Sequence, residues 1–290
     1  MPRRVALLGL SLILSTAIAY AANPESTEKA TELFQKGRAL LAAGDFAGAA
    51  AAYEAAAAAD PEELNYQVSA AVLKRVISLR EALPRLDGTP KWAPAIKAIY
   101  AYCLENHAFT EALKQAAALH AKQADGESAA MVARVHLEQG EQQEAIAVLD
   151  AVSPEKRTNE TWTLLGIALA RSGDVEKARA AAQAVKPADA PDPALLFDGA
   201  RLCSLLGDGD AAVKHLISAF ENTPPSRLEV VRTQARECAD LAALHALPVF
   251  ESALATKSKV IESKCSSGAS CDQCPSRATC ESSKEKEKKP

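Results

Sequence analysis

Polar and small residues break the chain into helical runs at a regular interval. A small or polar turn followed by a short small-residue apolar stretch returns as "AAGDFAGAA" at Gly44, "ENHAFTEAL" at His107, "EQGEQQEAI" at Gly140, "RSGDVEKAR" at Gly173 and "LLGDGDAAV" at Gly207. A weaker version, "CADLAAL", falls at Asp240. From His107 onward the steps are 33, 33, 34 and 33 residues, and Gly44 to His107 is 63, close to two periods. Self-similarity at such a period predicts an array of small supersecondary units. Each unit reads as an apolar helix, a turn and a second helix carrying Ala five residues after the turn. A small residue there lets the two helices approach closely. Gly suits the turn because it adopts the left-handed conformation that ends a helix.

Composition agrees with thin layers of helices. Aromatic residues are 4% of the chain and Ala runs dominate, as in Ala47 to Asp60. Ala has the highest helix propensity and little bulk from which to build a thick core. The fold class expected is all-α.

The residues of these units resemble the tetratricopeptide repeat (TPR) family. "ETWTLLGIALARSGDVEKARAAA" carries Trp162, Leu165, Gly166, Leu169, Gly173 and Ala178 in the family's W-x2-L-G-x2-[LY]…A pattern. Leu33, Gly37, Leu40, Ala49, Tyr53, Ala56 and Pro61 match it in the first unit, and Pro224 closes the sixth. The resemblance spans residues 26–256 and implies a right-handed α-solenoid of about six to seven helix-turn-helix units, near 30–61, 62–92, 93–125, 126–158, 159–192, 193–225 and 226–256. Residues 62–92 lack the Gly-Asp turn and read as a distorted pair or one long helix. Pro248 breaks the last unit into short pieces that cap the stack. Stacked units of this family leave a concave groove lined by the first helices, so the implied function is a scaffold that binds a protein or peptide.

The family's geometry turns the ninth residue of each first helix toward that groove: Arg38, Ala101, Arg134, Ile167, Arg201 and Thr233. Lys97, Arg236, Phe34 and Phe197 take neighbouring groove positions. Three Arg at equivalent places suggest a row for carboxylates, which guanidinium groups pair bidentately, so the ligand is expected to be acidic. An ordinary solvated helix surface is the competing reading of the same Arg residues. The Lys/Asn clamp of chaperone-binding members of the family does not map onto these positions.

The two ends of the chain differ from the array. Arg3 and Arg4 precede an uncharged apolar stretch, Val5 to Ile18, then Ala17-Ile18-Ala19 and Ala19-Tyr20-Ala21, each a small-x-small cleavage signal. Residues 1–21 therefore read as a secretory signal peptide, shorter in its apolar part than the roughly 20 residues of a spanning helix. The protein is expected to be exported, periplasmic or otherwise extracytoplasmic, with no membrane span after cleavage. Beyond Lys257 the composition turns to Ser, Lys and Glu, and eight Lys or Arg stand against five acids. Residues 22–256 carry a net charge of −9, which argues against nucleic acid as a partner.

Residues 257–290 read as a flexible tail holding Cys265, Cys271, Cys274 and Cys280, spaced C-x5-C-x2-C-x5-C. Four Cys within 16 polar residues concern thiol chemistry rather than packing. Two local disulfides are the default for an exported chain. Zinc or an iron–sulfur cluster on four thiolates is a second reading, and free or intermolecular thiols a third. The C-x2-C-P-x4-C part looks like a piece of the Cys motif of iron–sulfur scaffold ATPases, without the ATPase domain. A protein whose tail handles metal or redox chemistry is thus the alternative function. Cys103, Cys203 and Cys238 fall inside predicted first helices and read as small core residues.

Catalytic patterns are missing from the sequence. The five His, at 107, 120, 136, 215 and 245, form no HExxH and no i, i+4 pair. There is no P-loop, no GxGxxG and no G-x-S-x-G elbow, and no catalytic residue or required cofactor is expected.

Overall fold

A computed structural model describes residues 24–186 and 192–261. Its regular structure is all helical: fourteen α-helices and two 3-10 turns among the described residues, arranged as about seven tandem hairpin units. Two compact bodies divide the chain. The first comprises residues 24–89 with the turn 105–108, and the second takes residues 90–104 and everything described from Phe109 on.

The first body holds α1 (Pro24–Ala42), α2 (Phe46–Ala59) and α3 (Leu64–Leu86). α1 and α2 form a hairpin. Gly37 gives it close contact: a Cβ there would meet the Tyr53 ring at 2.5 Å. Phe34 stacks on Tyr53 and on Tyr66 of α3, each at 4.9 Å between ring centroids. Residues 62–89 contain no second hairpin. α3 is one uninterrupted helix with Pro84 in its last turn, after which Gly88 turns the chain at φ 73°.

The second body contains α4 (Trp92–Glu105), α5 (Phe109–Gln123), α6 (Gly126–Glu138), α7 (Gln142–Asp150), α8 (Asn159–Arg171), α9 (Val175–Ala184), α10 (Pro193–Leu205) and α11 (Gly209–Asn222). α12 (Pro225–Glu237), α13 (Ala242–His245) and α14 (Pro248–Leu254) complete it, with 3-10 turns at Pro154–Lys156 and Ala239–Leu241. α6, α8 and α10 are first helices and lie against one another in order, while α7, α9 and α11 pack as their second helices. The last unit is a helix followed by short pieces, and Pro248 stands at the start of α14, where its missing N–H costs nothing.

The repeated turns share one hydrogen-bonding plan. Gly44, Gly140, Gly173 and Gly207 all have φ between 76° and 87°, and His107 takes the same left-handed region at 58°. At Gly44 the amide of Asp45 donates to Leu40 O and that of Gly44 to Leu41 O, both at 2.9 Å. The same six-to-one bond recurs from Glu141, Asp174 and Asp208, so each first helix ends in a Schellman motif. The Asp of each Gly-Asp pair then caps the next helix: Asp45, Asp174 and Asp208 accept from Gly48, Lys177 and Ala211 amides. The Ala five residues after each turn, Ala49, Ala112, Ala145, Ala178 and Ala212, is completely buried.

Two apolar clusters hold the second body. One joins α6 to α10 through Leu137, Leu149, Leu164, Ile167 and Leu202, and Gly166 gives way to Leu202, whose Cδ2 a Cβ would meet at 2.8 Å. The other gathers Leu216, Phe220, Leu241 and Phe250 around α11, the Ala239–Leu241 turn and α14. After Thr256 the chain runs extended. Lys259 is held there by its amide on Glu221 O (2.8 Å) and its ammonium on the Glu221 carboxylate (2.7 Å).

Candidate partner-binding face

The first helices of the second body carry a chain of charges rather than an open row of cations. Arg134 on α6 reaches Glu160 of α8 and Asp198 of α10, each at 2.7 Å. Arg201 on α10 meets Asp198 at 3.0 Å, Glu138 of α6 at 3.3 Å and Asp240 of the Ala239–Leu241 turn at 2.8 Å. Arg171, from the end of α8, grips both oxygens of Asp240 at 2.8 and 2.9 Å and donates to Leu137 O at 2.6 Å. Three guanidinium groups and four carboxylates therefore link α6, α8, α10 and the turn after α12. Asp198 and Asp240 are buried, as is Arg201, while Glu138 and Glu160 keep contact with solvent.

Burial alone would push the Asp198 carboxyl up, but Arg134 and Arg201 outweigh it and hold it below the usual carboxylate range. Burial opposes the charge of Arg134 and Arg201 too, and the carboxylates around them overcome it and raise both. Tyr100 of α4 sits next to this network. Its hydroxyl donates to Met131 O at 3.1 Å, and burial raises its pKa well above that of a free phenol.

The residues that the family resemblance placed in a groove are distributed unevenly. In the first body, Phe34 is half-buried in the aromatic stack and Arg38, one turn on, is exposed. In the second, Lys97 pairs with Glu127 at 2.6 Å, joining α4 to α6. The carboxylates meeting Arg134 and Arg201 are the protein's own. Ile167 is completely buried within the α6–α10 cluster, and Phe197 packs against the C-terminal one. Ala101, Thr233 and Arg236 are exposed, and Arg236 touches only the edge of Glu229, at 3.3 Å. Cys103 is buried, whereas Cys203 and Cys238 are half-buried against the same cluster, where burial raises both thiols. None of the three is joined in a disulfide.

Sequence reasoning missed Asp198, Asp240, Arg171, Glu138 and Glu160 as partners. One of them left a local trace: Asp198 lies three residues before Arg201, the spacing of neighbours on one helix face, whereas Glu138, four after Arg134, pairs instead with Arg201 of α10. Asp240 marked the weak sixth turn, but its pairing with residue 171 has no local sign. Cys265, Cys271, Cys274 and Cys280 lie outside the described residues, as does the leader 1–21. Among the described residues, no group of three or more His, Cys, Asp or Glu is placed to hold a metal, and no helix is long and apolar enough to cross a membrane.

The family model described as tetratricopeptide repeat matches residues 34–77 and 155–193. These two segments resemble tetratricopeptide repeats. The first match takes in the α1–α2 hairpin from Phe34 and part of α3, and the second the α8–α9 hairpin. No curated protein matches the chain. Among solved structures, a tetratricopeptide repeat protein from Parabacteroides merdae is 18% identical over 79% of this chain and 93% of its own, with a TM-score of 0.41. The pilF protein of Pseudomonas aeruginosa is 15% identical over 72% of this chain and 99% of its own, with a TM-score of 0.35.

Proposed function

We propose that the chain is an exported tetratricopeptide scaffold that holds a protein or peptide ligand against the first helices of its repeats. The ion-pair network carries this reading. A hydrophobic contact would hold α6, α8 and α10 together just as well, since buried ion pairs rarely add net stability. What directional bonds supply is a fixed placement of one first helix against the next, and a rigid surface loses less entropy when a ligand docks. Exposed Ala101, Thr233 and Arg236 supply the contact positions, and Arg38 does so in the first body. Export rests on the Arg3-Arg4 start, the apolar run and the small-x-small sites of residues 1–21.

The test is site-specific photo-crosslinking in the native host. A photoreactive residue at Ala101 or Thr233 should give one discrete adduct, and the same residue at Val175 on the second helix α9 should give none. Adducts from all three positions alike, or from none, sink the reading. Export is checked on the same material: the mature protein should begin after Ala19 or Ala21 and lie outside the cytoplasm. The four-Cys spacing of the tail supports a second role in metal or thiol chemistry. Zinc, iron–sulfur absorbance and free thiols measured on the purified full chain, before and after reduction, decide it.

A further inference from the structure

Among the described residues of the first body, no second helix follows α3 to form a hairpin with it. One side of it is packed: Ala70, Leu73 and Val76 are buried, Tyr66 stacks on Phe34, and Arg80 lies over the Phe46 ring at 4.0 Å from its centroid. In the hairpins α1–α2, α8–α9 and α10–α11 a second helix covers the first, whereas among the described residues of its own body α3 has no such helix after it.

The side it leaves open is apolar in a helical register. Leu64, Val68 and Val72 stand at i, i+4 and i+8 with 66%, 58% and 41% of their surface exposed. They are the three most N-terminal of the large exposed apolar residues, and together they form one stripe. Arg75, at i+11, continues it and is exposed. α3 as a whole holds Lys74, Arg75, Arg80 and Arg85 against the single acid Glu81, although the full chain has a net charge of −4. Lys74 is steadied by an ion pair with Glu54, and Arg85 is exposed.

We propose that this face of α3 binds an amphipathic, acidic helix of another protein, which takes the place of the missing second helix. Its apolar residues cover Leu64, Val68 and Val72, and its carboxylates meet Arg75 and Arg85. Charge decides between the occupants. A second copy laid antiparallel on α3 would centre on Arg75, the midpoint of the helix, and set like charges against each other. The apolar leader Val5–Ile18 contains no carboxylate to answer Arg75 or Arg85. An acidic helix meets both demands, in the helix-in-groove manner of recognition. This surface lies within the first body and does not depend on the ligand face of the second.

The probe is a fluorescent, covalently constrained helical peptide with Leu at i, i+4 and i+8 flanked by Glu, and its twin with Lys in place of Glu. Fluorescence anisotropy with the full mature chain at about 0.1 M salt should show saturable binding of the acidic peptide only. Val68→Asp should weaken it by about tenfold or more, and Arg75→Glu should weaken it while letting the Lys twin bind. Both positions are exposed, and unchanged thermal melts will show that the variants fold. Absent saturable binding, equal binding of the twins, or indifference to Val68→Asp overturns the proposal. So does a dimer in sedimentation that Val68→Asp dissociates, which would give the face to a second copy. Crosslinking from Thr233 in the same variants reports separately on the scaffold reading, so either can fail alone.

Discussion

Asp198 shows how much a single side chain can hold in this chain. It is buried, two guanidinium groups face it, and its Oδ2 lies 2.7 Å from Arg134. Its folded pKa is depressed, so the stability it lends is complete above the unfolded carboxylate value of about 3.9 and is lost as pH falls through the lower folded value. Asp198→Asn should therefore flatten the acid limb of a stability-versus-pH curve measured by urea unfolding, and leave a less stable protein at neutral pH. Replacing both Arg134 and Arg201 by Ala strands the buried Asp198 carboxylate and should cost about 3–5 kcal/mol, seen as a lower urea midpoint at constant slope. His107 offers the opposite case. It occupies the left-handed region at φ 58° where four sister turns have Gly, a placement that costs a residue with a side chain about 1–2 kcal/mol of backbone strain.

At the scale of the helix pair, the Gly-Asp turn does two jobs within two residues. Gly closes one helix through its positive φ, and Asp starts the next with a side-chain cap. Asp174→Ala should cost about 1 kcal/mol and Gly173→Ala about 1–2 kcal/mol, both readable as shifts in the thermal midpoint. These elements were legible in the sequence because their determinants are local. The turn residue and the Ala five positions later recur every 33 or 34 residues, and five such Ala are wholly buried. The inner face was less legible. Family register puts Arg134 and Arg201 at equivalent positions, but nothing local shows that Asp198 and Asp240 already occupy their guanidinium groups. Nor does register show that Ile167, at the same position of its helix, is sealed inside the core. Those facts depend on residues brought together by stacking, up to 69 positions apart in the case of Arg171 and Asp240.

For the second body as a whole, that distant pair changes how a repeat array behaves. Stability in such arrays accumulates through nearest neighbours, so opening at one end ordinarily leaves the rest intact. Here Arg171 ties the end of α8 to Asp240 beyond α12, and Arg201 shares the same carboxylate. Asp240→Asn should therefore speed hydrogen exchange in α8 and α10 together with the C-terminal helices. Faster exchange confined to α12–α14 would show that the tie carries no cooperativity.

The tie also bears on how this lineage can change length. Repeat genes readily gain or lose whole units, and an array held only by neighbours accepts the change because every junction is alike. Between Arg171 and Asp240 lie α9, the α10–α11 hairpin and α12. Inserting one unit there would carry the Asp240 carboxylate a full repeat away from Arg171 and break their bidentate contact. A unit added between them would have to do without this tie, whereas a unit added before α8 would leave it in place.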